Sequence, residues 1–252
     1  MKKIWSVLKN VVSLQQEKKE RTTLKLNDMY VETMALDQVR VEIKKDEDYI
    51  HTKVYHMLND DSKYKKLCMK IQDKEFHTFN MIDFVSKKSG LTYHIIPCTF
   101  GKRYYLKYGI EYLSYVTFRK YNKIWTCITG EIDVFVAPHF FDRYEERKDK
   151  NYESRFGLIS EFFLSNQAMR AHEYNHPDHK NSLFFTLNDG VGFGTKLESS
   201  FLLSTFVRED MLFDNQTDLH TSEKRILDAI KCRLQQSPME VFDEWKEYIF
   251  RN

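Results

Sequence analysis

His139, Arg143, Glu146 and Arg147 are the densest set of chemically capable side chains in the sequence. They fall in the stretch Ala137-Pro138-His139-Phe140-Phe141-Asp142-Arg143-Tyr144-Glu145-Glu146-Arg147. On a helix, at 100° per residue, these four share one arc, and Phe140, Phe141 and Tyr144 share the opposite arc. An imidazole transfers protons near neutral pH. A guanidinium clamps phosphate bidentately and stabilises negative charge as it develops. Together they suffice for metal-independent RNA cleavage, in which a 2′-hydroxyl attacks the adjacent phosphate. The same spacing also describes an ordinary solvated helix face carrying i,i+3 and i,i+4 ion pairs. Asp142, Glu145 and Glu146 would repel a phosphate backbone.

A second candidate surface lies in Gly101–Lys123, which holds six basic residues against the single acid Glu111, interleaved with tyrosines. Basic side chains neutralise phosphates and aromatic faces stack bases. If this stretch forms a sheet, Lys102, Arg103, Tyr105, Arg119 and Lys120 would make an RNA-facing surface. Tyrosines and lysines equally decorate the solvent face of antiparallel sheets.

A third candidate is His172-Glu173-Tyr174-Asn175-His176, with His179 three residues on. On a helix, the two histidines of H-E-x-x-H reach one Zn²⁺ and the glutamate activates its water. These five positions resemble the zincin metallopeptidase motif, with Glu198 or Glu209 as candidate third ligands. Pro177 pushes His176 away from helical geometry, and the polar stretch 175–182 reads as a loop. Zinc is therefore an alternative cofactor, and no cofactor is the first expectation. Gly190-Val191-Gly192-Phe193-Gly194 lacks the lysine and hydroxyl of a P-loop and reads as a hairpin turn with a bulge.

The elements that must position these groups follow from periodicity. Val39, Val41 and Ile43 alternate with Arg40, Glu42 and Lys44, which predicts a half-buried strand within 29–46. Residues 46–73 and 76–85 read as helices. From Leu91 onward, β-branched and aromatic runs predict strands over 91–99, 103–107, 112–121, 123–129 and 132–137. Gly101, Gly109, Tyr121-Asn122 and Gly130 stand at the breaks, so the strands form an antiparallel meander. Pro138 suits the first turn of a helix. A second helix is expected over 154–172 with Phe156, Ile159, Phe162 and Phe163 inward. Strands follow at 182–187 and 201–207, then helices near 208–236 and 238–250. The fold class is α+β: a central antiparallel meander flanked by N-terminal and C-terminal helices. Residues 1–90 form a mainly helical region packed on the core, and 91–252 form an α+β core domain.

The pattern His-x3-Arg-x2-Glu-Arg, after a strand and before a second helix and a hairpin, resembles the barnase–colicin–RelE-like ribonuclease toxins. The resemblance spans roughly residues 132–207. It implies that His139 is the acid/base group, that Arg143 and Arg147 bind phosphate, and that Glu146 orients one of them. It also implies that a hydroxyl on the late strand Leu202-Leu203-Ser204-Thr205-Phe206, Ser204 or Thr205, completes the site. RNA becomes the expected substrate, and a protein antitoxin or other protein an expected partner. A non-enzymatic interaction protein is the remaining alternative.

The totals narrow the field. The 39 basic and 37 acidic residues nearly cancel, so any nucleic-acid footprint is local. Cys68, Cys98, Cys127 and Cys232 form no C-x-x-C pair, which argues against a disulfide framework or a cysteine zinc site and for a reducing, cytoplasmic setting. No apolar run is long enough to span a membrane. Near the N-terminus, Ile4, Leu8, Val11 and Val12 repeat at helical spacing and predict an amphipathic helix.

Overall fold

The computed structural model describes residues 31–241 except 61, 74–75, 131, 149, 167–168 and 174–180. The helix expected around Ile4–Val12 lies outside the described residues, as does most of the one expected over 238–250. Helices α1 (Leu36–Asp60) and α2 (Ser62–Cys68) come first, then β1 (His77–Thr78), β2 (Ile82–Val85) and β3 (Thr92–Thr99). The short α3 (Lys102–Tyr108) precedes β4 (Glu111–Lys120), β5 (Lys123–Ile128) and β6 (Asp133–Val136). Helices α4 (Pro138–Lys148) and α5 (Arg155–Ser165) follow, then β7 (Arg170–Glu173), β8 (Ser182–Thr186), β9 (Val191–Lys196), β10 (Ser200–Val207) and α6 (Asp214–Gln236).

The strands form one sheet in the order β1-β3-β4-β5-β6-β10-β9-β8-β7, with β2 also pairing β3. Among the described residues, every pairing is antiparallel except the seam between β6 and β10, where Val134 faces Phe201 and Val136 faces Leu203 in parallel register. Two antiparallel meanders, β3–β6 and β7–β10, are thus joined at one parallel seam. The architecture is α+β, with helices flanking a mostly antiparallel sheet.

Alternation assigns the layers. On one face, Tyr93, Ile95, Val116, Phe118, Cys127 and Phe135 meet Val39, Ile43, Ile50, Val54 and Leu58 of α1 in one buried cluster. On the other face, Ile96, Tyr115, Val136, Leu203 and Phe206 meet Phe140, Phe141 and Tyr144 of α4 and Leu158, Ile159 and Phe162 of α5. The register His172↔Phe184 and the ion pair His172–Glu223 put α6 on the α1 face, over β7 and β8. An ionic pin joins α1 to the sheet: Asp133, 1 % exposed, accepts from Arg40 Nε at 2.9 Å and lies 3.4 Å from Lys44 Nζ.

Several local expectations are corrected. The alternation at Val39–Ile43 belongs to a helix, because Val39, Ile43, Ile50, Val54 and Leu58 recur at three- and four-residue steps while Val41 is exposed. The segment 76–85 forms β1 and β2 rather than a helix, because β3 offers both of them its open edge. Residues 103–107 form α3 rather than a strand. The helix after Ser154 stops at Ser165, and 170–173 form a strand. Of the glycine-rich stretch, Gly190 lies in the turn between β8 and β9, and Val191–Gly194 run on as strand β9. A Cβ on Gly192 would sit 2.3 Å from Leu203 Cδ1, and one on Gly194 would sit 2.0 Å from Leu202 O. These glycines make room for β10, and the bulge falls on β10, between Leu203 and Thr205.

Candidate functional site

Helix α4 has the two-sided character its sequence predicts. Pro138 starts it directly after β6, and Ala137 N donates to Leu203 O at 2.9 Å, which ties its entry to β10. Phe140, Phe141 and Tyr144 are fully buried. Phe140 meets Phe162 edge to face at 5.0 Å. Tyr144 donates to Asp189 Oδ2 at 2.6 Å, and Lys148 Nζ reaches the same oxygen at 2.8 Å. A buried phenol spends its hydroxyl this way to avoid an unpaired donor. Burial, with the Asp189 carboxylate adding to it, pushes the Tyr144 phenol far above its usual range.

The outer arc carries His139, exposed in the first turn, and Arg143 one turn on. Arg143 Nη1 lies 2.6 Å from Glu146 Oε2 on the same helix. Arg147 is partly buried, and its carbonyl accepts from Arg208 Nη1 at 3.5 Å, just past the end of β10. Arg147 Nη1 is shielded from solvent and has no hydrogen-bond partner among the described residues. His139, Arg143 and Arg147 therefore lie at successive four-residue steps, each advancing about 6 Å along the axis.

The late strand lies where the sequence pattern puts it, but Thr205 does not join this arc. β10 packs under α4 through Leu203 and Phe206. The bulge at Ser204 resets the alternation, and Thr205 then pairs with Phe193, itself opposite Phe184 and edge to face with it. Directly opposite residues share a face. Thr205 thus faces the α1 and α6 side, with the sheet between it and His139.

The basic stretch 101–123 does not form one surface. Lys102 and Arg103 are exposed in the first turn of α3, where Arg103 pairs with Asp73 at 3.0 Å, and Tyr105 packs partly buried against the α1 cluster. Arg119 is exposed at the far end of β4, about 25 Å from α3 by strand rise. Lys120 is 7 % exposed and donates to the carbonyls of Glu32 and Met34. It caps the chain entering α1 and presents no charge to a ligand.

The first two residues of the H-E-x-x-H match, His172 and Glu173, lie in the edge strand β7. His172 and Glu173 are consecutive in β7, so their side chains point to opposite faces. His172 Nε2 lies 2.8 Å from Glu223 Oε2, which also accepts from Arg170 Nε at 2.6 Å. Glu173 pairs with Lys196 at 2.8 Å. His176 and His179 lie outside the described residues. His172 and Glu173 thus lie on a strand and not on a helix. Among the described residues, no three His, Cys, Asp or Glu side chains are grouped to hold a metal ion, and no helix is long and apolar enough to cross a membrane.

One hydrogen-bonded chain has no counterpart in the sequence reading. Asp83 Oδ1 lies 2.8 Å from His94 Nδ1, and His94 Nε2 lies 2.8 Å from Thr117 Oγ1. A carboxylate, an imidazole and a hydroxyl in line form the order that activates a nucleophile. Here His94 and Thr117 are 2 % and 3 % exposed, so no substrate reaches the hydroxyl. Tyr115 stacks on the imidazole at 4.6 Å and Phe156 leans over it at 5.5 Å. Burial lowers the His94 pKa, and Asp83 opposes that effect only in part. The sequence signal was a histidine inside the apolar run Tyr93-His94-Ile95-Ile96. Its partners, 11 residues before and 23 after, become visible only through strand register.

Together these features define an α+β protein with a mixed ten-stranded sheet among the described residues and, beside its parallel seam, a helix face bearing His139, Arg143, Glu146 and Arg147. The chain matches no protein-family model, and no curated protein or solved structure is found to match it.

Proposed function

We propose that this chain binds RNA through the outer arc of α4 and cleaves it without a metal. One observation carries the reading. His139, Arg143 and Arg147 stand at regular spacing on a helix whose inner arc is locked in the aromatic core. Such anchoring holds reacting groups in place with little entropy left to lose. His139 takes the proton of a 2′-hydroxyl as that oxygen attacks the adjacent phosphorus. The bond to the 5′-oxygen then breaks, and the imidazolium returns the proton to that oxygen. The products are a 2′,3′-cyclic phosphate and a 5′-hydroxyl. Arg143, oriented by Glu146, and Arg147 hold the phosphate and stabilise its added charge. Thr205 has no part in this step, because it faces the opposite side of the sheet. A cytoplasmic setting, and a protein that restrains the activity, belong to the same reading.

The full chain, incubated with single-stranded RNA and a chelator, is expected to release fragments ending in 2′,3′-cyclic phosphate. His139→Ala is expected to slow this by about 100-fold or more. RNA left intact by the wild-type chain, or cleaved equally by His139→Ala, would overturn the reading.

A further inference from the structure

A cleft of about 250 Å³ opens on the α1 face of the sheet, well away from α4. Its origin lies in one small side chain. Tyr112, Ser114, Val116 and Phe118 follow one another at two-residue steps along β4 and share the face under α1. Three of the four are large. Ser114 leaves a gap that a well-packed helix–sheet interface fills with hydrocarbon. The space corresponds to roughly eight waters.

The lining is mixed. Ile43, Ile50 and Ile95 are apolar, and Tyr93 and Tyr112 line the cleft beside them. His51 Nδ1 lies 2.6 Å from Tyr112 OH, which fixes that wall. Ser114 Oγ and Thr129 Oγ1, 3.4 Å apart, supply hydroxyls. Glu47 and Asp48 of α1 supply carboxylates. Behind Tyr93 sits a further carboxylate, Asp46, which is buried and bound to the hydroxyls of Ser89 and Tyr93 at 2.6 and 3.3 Å. Lys44 bridges Glu47 and Asp133 and does not line the cleft.

Two carboxylates, Glu47 and Asp48, line the cleft and no lysine or arginine does. Tyr112 is pushed up to about 12, first by burial and then by the Glu111 and Glu47 carboxylates. Tyr93 is raised further by burial and by Asp46. Carboxylates and hydroxyls around a small apolar recess suit an organic cation. Among the described residues, no three His, Cys, Asp or Glu side chains are grouped there to hold a metal ion.

We propose that this cleft is a binding site for a small primary ammonium ligand with a short alkyl tail. The ammonium group meets Glu47, Asp48 and the hydroxyls of Tyr112 and Ser114. The tail lies against Ile43, Ile50 and Ile95.

The test titrates the full chain with n-butylammonium, n-butanol and butyrate, followed by chemical shifts of the backbone amides around Ser114. These probes share size and differ in charge. Butylammonium is expected to bind in the millimolar range, and the other two at least tenfold more weakly. Glu47→Gln together with Asp48→Asn is expected to weaken the cation alone, by about tenfold. Ser114→Leu fills the gap and is expected to abolish binding while the thermal midpoint is kept or raised. Equal binding of butanol would reduce the cleft to an apolar void. A preference for butyrate, no binding of any probe, or cation binding unchanged by the carboxamide pair would each overturn the proposal. If Ser114→Leu does not fold, the charge series and the carboxamide pair decide alone.

Discussion

The ring of Phe206 on β10 stands edge-on to Tyr144 of α4, with centroids 4.8 Å apart. This contact joins the parallel seam of the sheet to the helix that carries His139 and Arg143. Both rings are fully buried, and Phe140 approaches the same Phe206 at 6.0 Å. Phe206→Ala is expected to cost about 3–5 kcal/mol in chemical unfolding. Tyr144→Phe keeps the ring and removes only the hydroxyl to Asp189, so it is expected to cost about 1–3 kcal/mol. Equal losses for the two would mean that packing does not hold α4.

Asp133 is buried at the start of β6 between Arg40 and Lys44. Asp133→Ala removes the shared acceptor and leaves two cations facing the sheet. Losing one side of a buried pair costs about 3–5 kcal/mol, and here the cations are 27 % and 33 % exposed, so the lower end applies. Arg40→Ala leaves Asp133 with Lys44 and is expected to cost less. Urea unfolding of both variants measures the difference.

Stability is expected to depend on the protonation of His94. Its native pKa lies below that of the unfolded chain. The unfolded state therefore binds the extra proton first, and stability falls as pH drops below about 6.5 towards the native value. The loss from this group cannot exceed about 1.4 kcal/mol per pH unit. Denaturant midpoints between pH 7.5 and 5 should show it, and His94→Gln should flatten the slope across that window. Glu161, Glu209 and Glu223 are lowered by neighbouring cations despite burial, so they act only at more acid pH, as pH falls below about 4.5. An unchanged slope in His94→Gln would assign the effect to another group.

Gly194→Ala places a methyl against the backbone carbonyl of Leu202, which cannot swing aside as a side chain can. A loss of about 1–3 kcal/mol is expected, with the β9–β10 amides exchanging faster. Gly130→Ala, where a Cβ meets nothing closer than 3.8 Å, is the matched control and should be near neutral.

The α+β class, the β3–β6 meander and the two arcs of α4 were legible because each rests on local periodicity over a run of residues. Helix α1 was half legible. Its true period appears only when Val39 and Ile43 are read on to Ile50, Val54 and Leu58, beyond the short alternation that suggests a strand. β9 was misread because its glycines serve the neighbouring strand, and a neighbour has no signature in local sequence. The placement of Thr205 depends on one bulge residue, Ser204, which flips every later side chain. The Asp83–His94–Thr117 chain and the cleft beneath Ser114 are products of register, and strand spacing alone does not encode them.

The salt dependence of RNA binding tests the central claim most directly. Each phosphate neutralised on a single strand contributes about −0.7 to the slope of log K against log salt. Fluorescence anisotropy with a short single-stranded RNA should give a salt-dependent affinity for the wild-type chain. Arg143→Ala should make the slope shallower by about 0.7, and Arg143→Ala with Arg147→Ala by about 1.4. Lys102→Ala with Arg103→Ala, on α3 at the other end of β4, should leave it unchanged. A slope the same in the α4 variants as in the wild type, or one that falls only with Lys102 and Arg103, would contradict an RNA contact on the outer arc of α4.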